Sequence, residues 1–566
     1  MRMKESFTKN FRHATLNFIF IVLFVNVFQY IFGMENSIVG VIFTIMMSAS
    51  MVRDLTATPV KHLCIQTGVL FLMAVAACFV TSVPPMLALP VNLSMIFLIL
   101  YAFTYEYVSH LYFPYILSYL FLVFISPVTP AQLPKRLLGV FVGAVCIILY
   151  QLVNGRNRVV ETARDVLVSM IDEADGCIRC LLSAKGVPRN PEQLRAELCK
   201  LSKIVYDRRK SALCISDASF SMIDAGRGLE NLVLLLYEME GTVTEERAKM
   251  LRKLSASLTT FRSYMLRETS EIPAFSRLDF GPQDSGEAEQ FYQCLVYIRG
   301  QMLQMTRPEK QKHYRRTLLS LSTRLKAALR VSPVRVIYAL RVSCLLALCT
   351  LAVQLLALPH GKWLLFTVAS VSLPYADDVG TKAKKRMRAT LIGGACSIAV
   401  FSLISSMTGR TIVMMLSGYL SFYFTDYSGT FACSTVGALG GAVIMSAFGW
   451  GPVGYLSLVR LGYIVLGVLI AFLANDVFFP FKRAVATRQL VQKYVSTTEF
   501  LSRVCKEPDT DPQLYYGLVI QAHLQEEKLR QNAEELSWDG AKELLERCRQ
   551  AVRQAHRSRP ASCSMS

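Results

Sequence analysis

Charged side chains inside or beside long apolar segments are the residues of this sequence best placed to do chemistry. An ionised group near the centre of a membrane helix costs about 2.5–3.5 kcal/mol on insertion scales, so such residues are functional candidates by default. Glu106 and Asp426 each precede a tyrosine near the end of an apolar segment. A carboxylate there could accept a proton or bind a cation. The alternative is a carboxylate that meets water at a helix end and has no role in function.

Arginine supplies the second set of candidates, because its planar guanidinium group matches the two oxygens of a carboxylate. We predict that five arginines line a path for a substrate or ion, together with the two carboxylates. These arginines are Arg136, Arg341, Arg386, Arg388 and Arg460. For Arg386 and Arg388, setting the membrane topology is an equally open explanation.

Two further aspartates occupy a different kind of position. Asp54 and Asp377 each follow the second apolar segment of a block, and each is followed by a threonine and a basic run. A carboxylate can accept hydrogen bonds from the free backbone amides at the start of a helix. The sequence therefore predicts that Asp54 and Asp377 form a pair of loop or helix caps.

An internal repeat joins two apolar blocks, because an offset of 323 or 324 residues brings together residues of the same type. The pairs are Thr44/Thr367, Asp54/Asp377, Thr58/Thr381, Lys61/Lys384, Thr67/Thr390, Arg136/Arg460 and Gly143/Gly467. Repeats are the first feature to seek in a sequence, and in transporters the paired halves usually enclose the substrate path. The repeat favours a protein that moves solutes over a receptor or a lone anchor.

The composition divides the chain between membrane and water. Of its 566 residues, 53% are hydrophobic and 18% are charged, and the mean hydropathy is +0.37. The charges are concentrated at about 155–335 and after about 481. The net charge is +20, and the basic residues cluster beside apolar segments. Topology and anionic lipid explain that placement better than nucleic acid does, so we predict no nucleic-acid partner.

Twelve segments are candidate spans of a bilayer, six in each block. They lie near 14–32, 36–52, 63–82, 88–106, 111–126 and 136–153, and near 336–358, 361–376, 389–406, 410–426, 430–448 and 457–479. Helical periodicity also marks the charged segments. The predicted fold is an all-α membrane protein with two parallel repeats of about six transmembrane helices each, a helical cytoplasmic insert and a helical C-terminal region.

The predicted domains follow from this division. They are a first transmembrane repeat at 1–154, a cytoplasmic helical domain at 155–332, a second transmembrane repeat at 333–481 and a cytoplasmic helical region at 482–566. Basic flanks predict that both termini lie in the cytoplasm. A basic stretch at 307–330 predicts contact with the anionic inner leaflet, with a solvated helical face as the alternative. The C-terminal region could pack on the insert or on a second subunit, so a homo-oligomer is left open.

Motifs for catalysis are missing from the sequence. It has no GxxxxGK(S/T) phosphate loop, no HExxH and no GxSxG. Cys177 and Cys180 form a CxxC, but no second pair or nearby histidine completes a zinc site. We therefore predict neither an enzyme nor a bound metal or cofactor.

One stretch of about sixty residues carries a recognisable pattern. It contains Ala339-Leu340-Arg341, Pro359-His360-Gly361-Lys362-Trp363, Thr367, Pro374 and the run from Arg386 to Gly393. This stretch resembles the fusaric acid resistance family. The pattern of that family is a helix-leading arginine, a tryptophan-to-threonine span, a proline and the motif RxxGTxxG. Ala389 stands where that pattern usually has glycine, and Leu63 replaces the first arginine of the motif in the first block. The two-block plan with a cytoplasmic insert is also similar to that family.

The resemblance implies an exporter of organic anions in a bacterial inner membrane, with aromatic carboxylates as the expected class. We expect Glu106 and Asp426 to couple this export to protons. The family is also related to malate channels, so a passive organic-anion channel is a rival. A membrane scaffold or sensor with working cytoplasmic helices is a third reading. The outer loops are short, so no periplasmic adaptor is predicted.

Overall fold

The computed structural model of the chain describes residues 2–50, 59–104, 111–155, 158–183, 190–209, 214–239, 244–276, 286–314, 332–424, 426–443, 450–478, 480–507 and 511–557. These residues form twenty-one α-helices and no strand. The predicted all-α fold is therefore confirmed. The arrangement as two parallel repeats stays a prediction.

The chain divides into two compact units. The membrane unit comprises Met1–Val52, Val60–Leu149 and Val331–Ala486. The helical unit comprises mainly Tyr150–Arg330 and Thr487–Ser566. Both apolar blocks thus belong to one unit, and the insert and the C-terminal region to the other.

The first block and the insert contain twelve of these helices. The first block contains α1 (Arg2–Phe32), α2 (Ser37–Ser50), α3 (Pro59–Ser82), α4 (Pro85–Phe103), α5 (Tyr112–Phe124) and α6 (Leu133–Gly155). The insert contains α7 (Arg158–Leu182), α8 (Pro191–Arg208), α9 (Asp217–Glu238), α10 (Glu245–Met265), α11 (Gly286–Thr306) and the short α12 (Pro308–Lys312). Several of these helices begin with proline, whose missing amide is not needed in the first turn.

The second block contains α13 (Pro333–Leu355), α14 (Lys362–Val371), α15 (Asp377–Leu403), α16 (Met407–Leu420), α17 (Tyr427–Val443) and α18 (Trp450–Phe472). α18 continues as a π-helical segment, Leu473–Phe478. The C-terminal region contains α19 (Arg483–Lys506), α20 (Pro512–Leu536) and α21 (Ala541–Arg557).

Six described helical stretches are long and apolar enough to cross a membrane. They are Ala14–Phe32, Pro59–Ser82, Pro85–Phe103, Leu133–Val153, Pro333–Leu355 and Gly451–Val477. The other six predicted spans overlap helices that are shorter or more polar. α14 has 10 residues, which extend about 15 Å, half of a hydrocarbon core of about 30 Å. A multi-pass membrane fold is supported, whereas the count of twelve spans stays a prediction.

The two blocks pack against each other within the membrane unit. α13, the first helix of the second block, packs on α4, the fourth helix of the first block, and α1 in turn contacts α16. Aromatic rings join α5 to the second block: Tyr112 and Tyr338 lie 5.1 Å apart, and so do Phe121 and Phe366. Reciprocal packing of first on fourth helices is what a pair of parallel repeats would give.

Two features of the second block position its charged residues. Pro374 lies in the break between α14 and α15, where its missing amide and fixed φ do not suit a helix interior. Gly393 brings α15 close to α17, because a Cβ there would lie 2.5 Å from the carbonyl oxygen of Ala432. The side chains of α15 that point at α17 therefore meet its surface directly.

Candidate functional site: two buried arginines over aromatic rings

Arg386 and Arg460 are two sequence candidates that the structure brings together. Arg386 lies on α15 and Arg460 near the middle of α18, and these two helices pack against each other. Each residue is only 5% exposed. The two positive charges are near enough to repel each other. The fold therefore holds two like charges in one buried region.

Each guanidinium group lies over an aromatic ring. Arg386 is 4.4 Å from the centre of the Phe431 ring, and Arg460 is 5.1 Å from that of Trp363. Lys382, one turn before Arg386, lies 4.5 Å over Tyr427, one turn before Phe431. Desolvated cation–ring pairs contribute about 2 kcal/mol each. Three such pairs thus join α15 to α17 and α18 to α14.

The described residues leave part of each guanidinium group without a hydrogen bond. Nε and Nη1 of Arg386 and Nε of Arg460 are buried and have no acceptor. No carboxylate in the described part of the chain forms an ion pair with either side chain. Burying a charge without a counter-charge is strongly unfavourable. This site, hereafter the arginine pair, therefore suits an anion.

Arg136 has a different environment, although the repeat aligns it with Arg460. It is 1% exposed, and its Nε donates to Oδ1 of Asn36 at 2.5 Å. Nη2 donates to the carbonyl oxygen of Glu35 at 2.7 Å and to Oγ of Ser126 at 3.0 Å. Nη1 donates to the carbonyl oxygen of Ser126 at 3.2 Å. Arg136 thus braces the start of α6 against two neighbouring segments.

Arg341 also makes hydrogen bonds to the backbone. It is 2% exposed on α13, and its Nη2 donates to the carbonyl oxygens of Leu373 at 2.5 Å and Pro374 at 3.1 Å. These carbonyls follow the end of α14. Arg341 therefore holds the break between α14 and α15 in place.

The two described carboxylates of the sequence prediction act as caps. Oδ2 of Asp377 accepts from the backbone amide of Arg483, the first residue of α19, at 2.7 Å. The next residue, Asp378, forms a salt bridge with Arg483 at 2.5 Å. Oδ2 of Asp426 accepts from the amide of Gly429 at 3.0 Å, and Asp426 is exposed at the start of α17. Both arrangements satisfy amides at a helix start.

Three predicted site residues remain: Arg388, Glu106 and Asp54. Arg388 is exposed on α15 and does not belong to the arginine pair. Glu106 and Asp54 lie outside the described residues. Their predicted roles stay predictions.

The sequence reasoning missed the rings under the cations. Lys382 and Arg386 are four residues apart, and so are Tyr427 and Phe431. Equal intervals on two helices indicate two cation–ring pairs, one above the other. This signal is useful only once the two helices are known to be adjacent. Among the described residues, no group of three or more His, Cys, Asp or Glu side chains could hold a metal.

The apolar helices and the buried charges define a multi-pass, all-α membrane protein. Residues 347–474 match the model of the fusaric acid resistance protein-like family. The resemblance seen in the sequence is therefore confirmed over this segment, which contains the arginine pair. Inner membrane protein YccS of Escherichia coli (strain K12) is 29% identical over 89 residues.

That matched region covers 16% of this chain and 12% of the relative. No solved structure matches the chain. The family match and the relative's name support a multi-pass inner-membrane protein. The orientation of the termini stays a prediction.

Proposed function

We propose that the chain exports organic anions, chiefly aromatic carboxylates, across the inner membrane of a bacterium. The observation that carries this proposal is the arginine pair, two buried cations that no described carboxylate offsets. An anion bound between them would supply the missing negative charge. Their aromatic neighbours favour a substrate that is itself flat and aromatic.

The chemistry of the site favours carboxylates in particular. A guanidinium group presents two N–H donors in one plane, which matches the two oxygens of a carboxylate. Nε and Nη1 of Arg386, which lie on different edges of its guanidinium group, are both buried without an acceptor among the described residues. The rings of Phe431 and Trp363 hold the cations from one face and leave their edges to a ligand. A neutral aromatic analogue would stack on the rings of the site, but it would not offset the charges of the two arginines.

The energy source separates this proposal from its rival. An inside-negative potential already favours anion exit by about 2.3 kcal/mol per charge per 100 mV. A passive organic-anion channel would therefore be sufficient for efflux. A carrier coupled to protons would add the pH gradient to that force. The remaining alternative, a scaffold or sensor, would use the cytoplasmic helices and move no anion.

Efflux from preloaded proteoliposomes tests the proposal. The panel is 4-hydroxybenzoate, benzoate, cyclohexanecarboxylate and the neutral benzamide, each with and without a pH gradient. We expect efflux of the two aromatic carboxylates and no protein-dependent efflux of benzamide. Arg460→Gln and Arg386→Gln should lose this efflux, whereas Arg388→Gln, an exposed arginine of the same helix as Arg386, should keep it.

Other outcomes favour the rivals. Rapid efflux whose rate does not depend on the pH gradient would favour the channel. Absence of efflux for every acid would contradict transport and favour the scaffold or sensor. Equal loss in Arg388→Gln and Arg386→Gln would contradict the assignment of the arginine pair.

Two partners accompany this proposal. The basic stretch at 307–330, most of which lies outside the described residues, would contact anionic lipid of the inner leaflet. A second copy of the chain is compatible with the proposal but not needed for it. We propose no periplasmic adaptor and no nucleic acid.

A further inference from the structure

A third cation of the second block lies one turn before the arginine pair. Lys382 is four residues before Arg386 on α15, so both side chains lie on the same face of that helix. The ammonium group of Lys382 lies 4.5 Å from the centre of the Tyr427 ring, and the guanidinium group of Arg386 lies 4.4 Å from that of the Phe431 ring. The centres of these two rings are 4.1 Å apart. The two cations are therefore neighbours along one continuous aromatic surface of α17.

Burial increases from Lys382 to the arginine pair. Lys382 is half-buried, whereas Arg386 and Arg460 are each only 5% exposed. The next two lysines of the helix, Lys384 and Lys385, are exposed and lie away from this face. Lys382 is thus partly accessible and at the same time adjacent to a buried cation. An anion that approaches along this face of α15 meets Lys382 before it meets Arg386.

Lys382 forms no salt bridge with a carboxylate in the part of the chain that the structure describes. Asp378, one turn earlier on α15, instead forms a salt bridge with Arg483 at 2.5 Å. Arg483 also lies over an aromatic ring, 5.0 Å from the centre of that of Tyr375, but Asp378 offsets its charge. Lys382 therefore resembles the arginine pair, because it has a ring beneath it and no counter-charge paired with it.

The start of α15, where Lys382 lies, is at one end of the membrane unit. Oδ2 of Asp377, the first residue of α15, accepts from the amide of Arg483, the first residue of α19. The membrane unit ends at Ala486, where the chain continues into the C-terminal region. In the predicted topology that region is cytoplasmic, so the start of α15 faces the cytoplasm. An exporter collects its substrate from that side.

We propose that Lys382 forms an entry site, where an anion from the cytoplasm binds transiently before it moves one turn to the arginine pair. This inference rests on the proposed function and adds a second binding position for the same class of ligand. A path for ions needs sites that attract them and also release them, and neighbouring sites meet both needs. An ammonium group suits the first position because it is a compact, hydrated charge without a fixed geometry, whereas a guanidinium group orients a carboxylate through two donors.

An entry site changes rates more than affinity. The charge of Lys382 attracts an anion on its way in and stabilises it again on its way out. An anion held by Arg386 and Arg460 has already left this position. Positive charge along an entrance raises association rate constants by about 10–1,000-fold, and we expect about the lower limit for one cation. Loss of Lys382 should therefore slow binding and release together.

Stopped-flow fluorescence tests the entry site. Trp450→Phe with Trp538→Phe leaves Trp363, beside the arginine pair, as the sole tryptophan. In this background Lys382→Gln is compared with Lys384→Gln, the same change at an exposed lysine of the same helix, and with Lys382→Arg. We expect Lys382→Gln to lower the association and dissociation rate constants of 4-hydroxybenzoate about tenfold, with a smaller change in Kd. The other two variants should keep the rate constants of the parent.

Three results would overturn the proposal. The first is a set of unchanged rate constants in Lys382→Gln. The second is faster dissociation with an unchanged association rate constant, because Lys382 would then belong to the final binding site. The third is equal slowing in Lys384→Gln, which would assign the effect to the net charge of the helix. Lys382→Met, which keeps the length of the side chain, provides the same comparison if Lys382→Gln does not fold.

Quenching by iodide tests the entry site even if no acid binds. Phe431→Trp, with the three native tryptophans replaced by phenylalanine, places the only indole beneath Arg386, next to the ring under Lys382. We expect the quenching constant of iodide to be about threefold lower in Lys382→Gln than in Lys384→Gln, from the attraction of one cation at about 6 Å in water. The constant of neutral acrylamide should be equal in the two variants. Equal iodide constants overturn the proposal, whereas absence of any response to 4-hydroxybenzoate contradicts only the proposed function.

Discussion

At the scale of single residues, Arg136 and Arg460 are aligned by the predicted repeat but have different environments. Asn36, which accepts from Arg136, corresponds by the offset of 323 to Pro359, which has no polar side chain to offer. Gly40 corresponds in the same way to Trp363, whose ring lies under Arg460. The first block therefore satisfies its arginine, whereas the second block places the arginine over a ring and leaves it available.

Neutralising each of the two arginines should have a different effect on the thermal stability of the protein. Arg136→Gln leaves the buried Oδ1 of Asn36 without its donor, which costs about 1–3 kcal/mol of stability. The same change removes the hydrogen bonds that hold the start of α6. Arg460→Gln removes a buried charge that no described carboxylate offsets, so its stability should be unchanged or higher. Thermal unfolding of both variants in detergent, without added anion, checks this. Destabilisation of Arg460→Gln as large as that of Arg136→Gln would contradict the contrast.

The sequence alone was enough to identify the candidate arginines by residue type and position, but not to assign their roles. Arginine beside an apolar segment identifies Arg386 and Arg460 without any structure. The repeat then assigns Arg136 and Arg460 the same role, because an offset compares residue types and not their neighbours.

At the scale of elements, α15 is the helix on which the site depends. It begins where Arg341 holds the preceding carbonyls, carries Lys382 and Arg386 against rings of α17, and approaches α17 closely at Gly393. Neighbouring Gly394 has no atom within 4 Å of an added Cβ. Two adjacent glycines of one helix thus differ in whether they allow a side chain.

This difference gives a matched test of helix placement. Gly393→Ala should push α15 away from α17 and lower both thermal stability and anion efflux, since overpacking costs about 1–3 kcal/mol. Gly394→Ala should keep both, because the added methyl group meets open space. Unfolding temperature and proteoliposome efflux of the two variants check this. Equal behaviour of the two would show that the approach of α15 to α17 does not position Arg386.

The positions of the helices could be predicted from the sequence better than their lengths could. Apolar composition marks every predicted span, and a helix overlaps each one. The short α14 and the break at Pro374 were harder to read, because the apolar run from 361 to 376 continues through both. Its end depends on Arg341 of another helix, which satisfies the carbonyls of Leu373 and Pro374.

At the scale of the whole molecule, the C-terminal region and the insert form one helical unit. Glu526 of α20 is 1% exposed and accepts from Arg195 of α8 at 2.8 and 2.9 Å. Arg549 of α21 donates to Glu526 at 2.9 Å and to Glu192 at 2.7 Å. The C-terminal region thus packs on the insert, and packing on a second subunit stays a prediction. Sequence could not decide between them, because the partners lie more than 300 residues apart.

This buried network makes the helical unit sensitive to acid. Burial alone would raise the pKa of Glu526, but the charges of Arg195 and Arg549 and the hydrogen bonds from Arg195 outweigh burial and lower that pKa from 4.5 to about 2. A carboxyl with a lowered pKa stabilises the fold above its ordinary pKa, and this contribution is lost as the pH falls through the folded-state pKa. The stabilisation should therefore disappear between pH 4.5 and about pH 2.

Glu526→Gln checks that dependence. At neutral pH it leaves two buried arginines without their shared partner, which costs about 3–5 kcal/mol. The difference from the wild type should shrink as the pH falls towards 2. Glu534→Gln removes an exposed pair on the same helix and should change stability by about 0–1 kcal/mol. Thermal unfolding by circular dichroism at several pH values measures both, and a pH-independent difference for Glu526→Gln would contradict the account.

The central claim is that the arginine pair binds an aromatic carboxylate, and the fluorescence of Trp363 reports on it directly. The chain has 3 tryptophans, so Trp450→Phe with Trp538→Phe leaves the indole beneath Arg460 as the sole reporter. Titration with 4-hydroxybenzoate should produce a saturable change that 4-hydroxybenzamide does not produce and that Arg460→Gln abolishes. An equal response to the neutral amide, or a response that survives in Arg460→Gln, would contradict the claim.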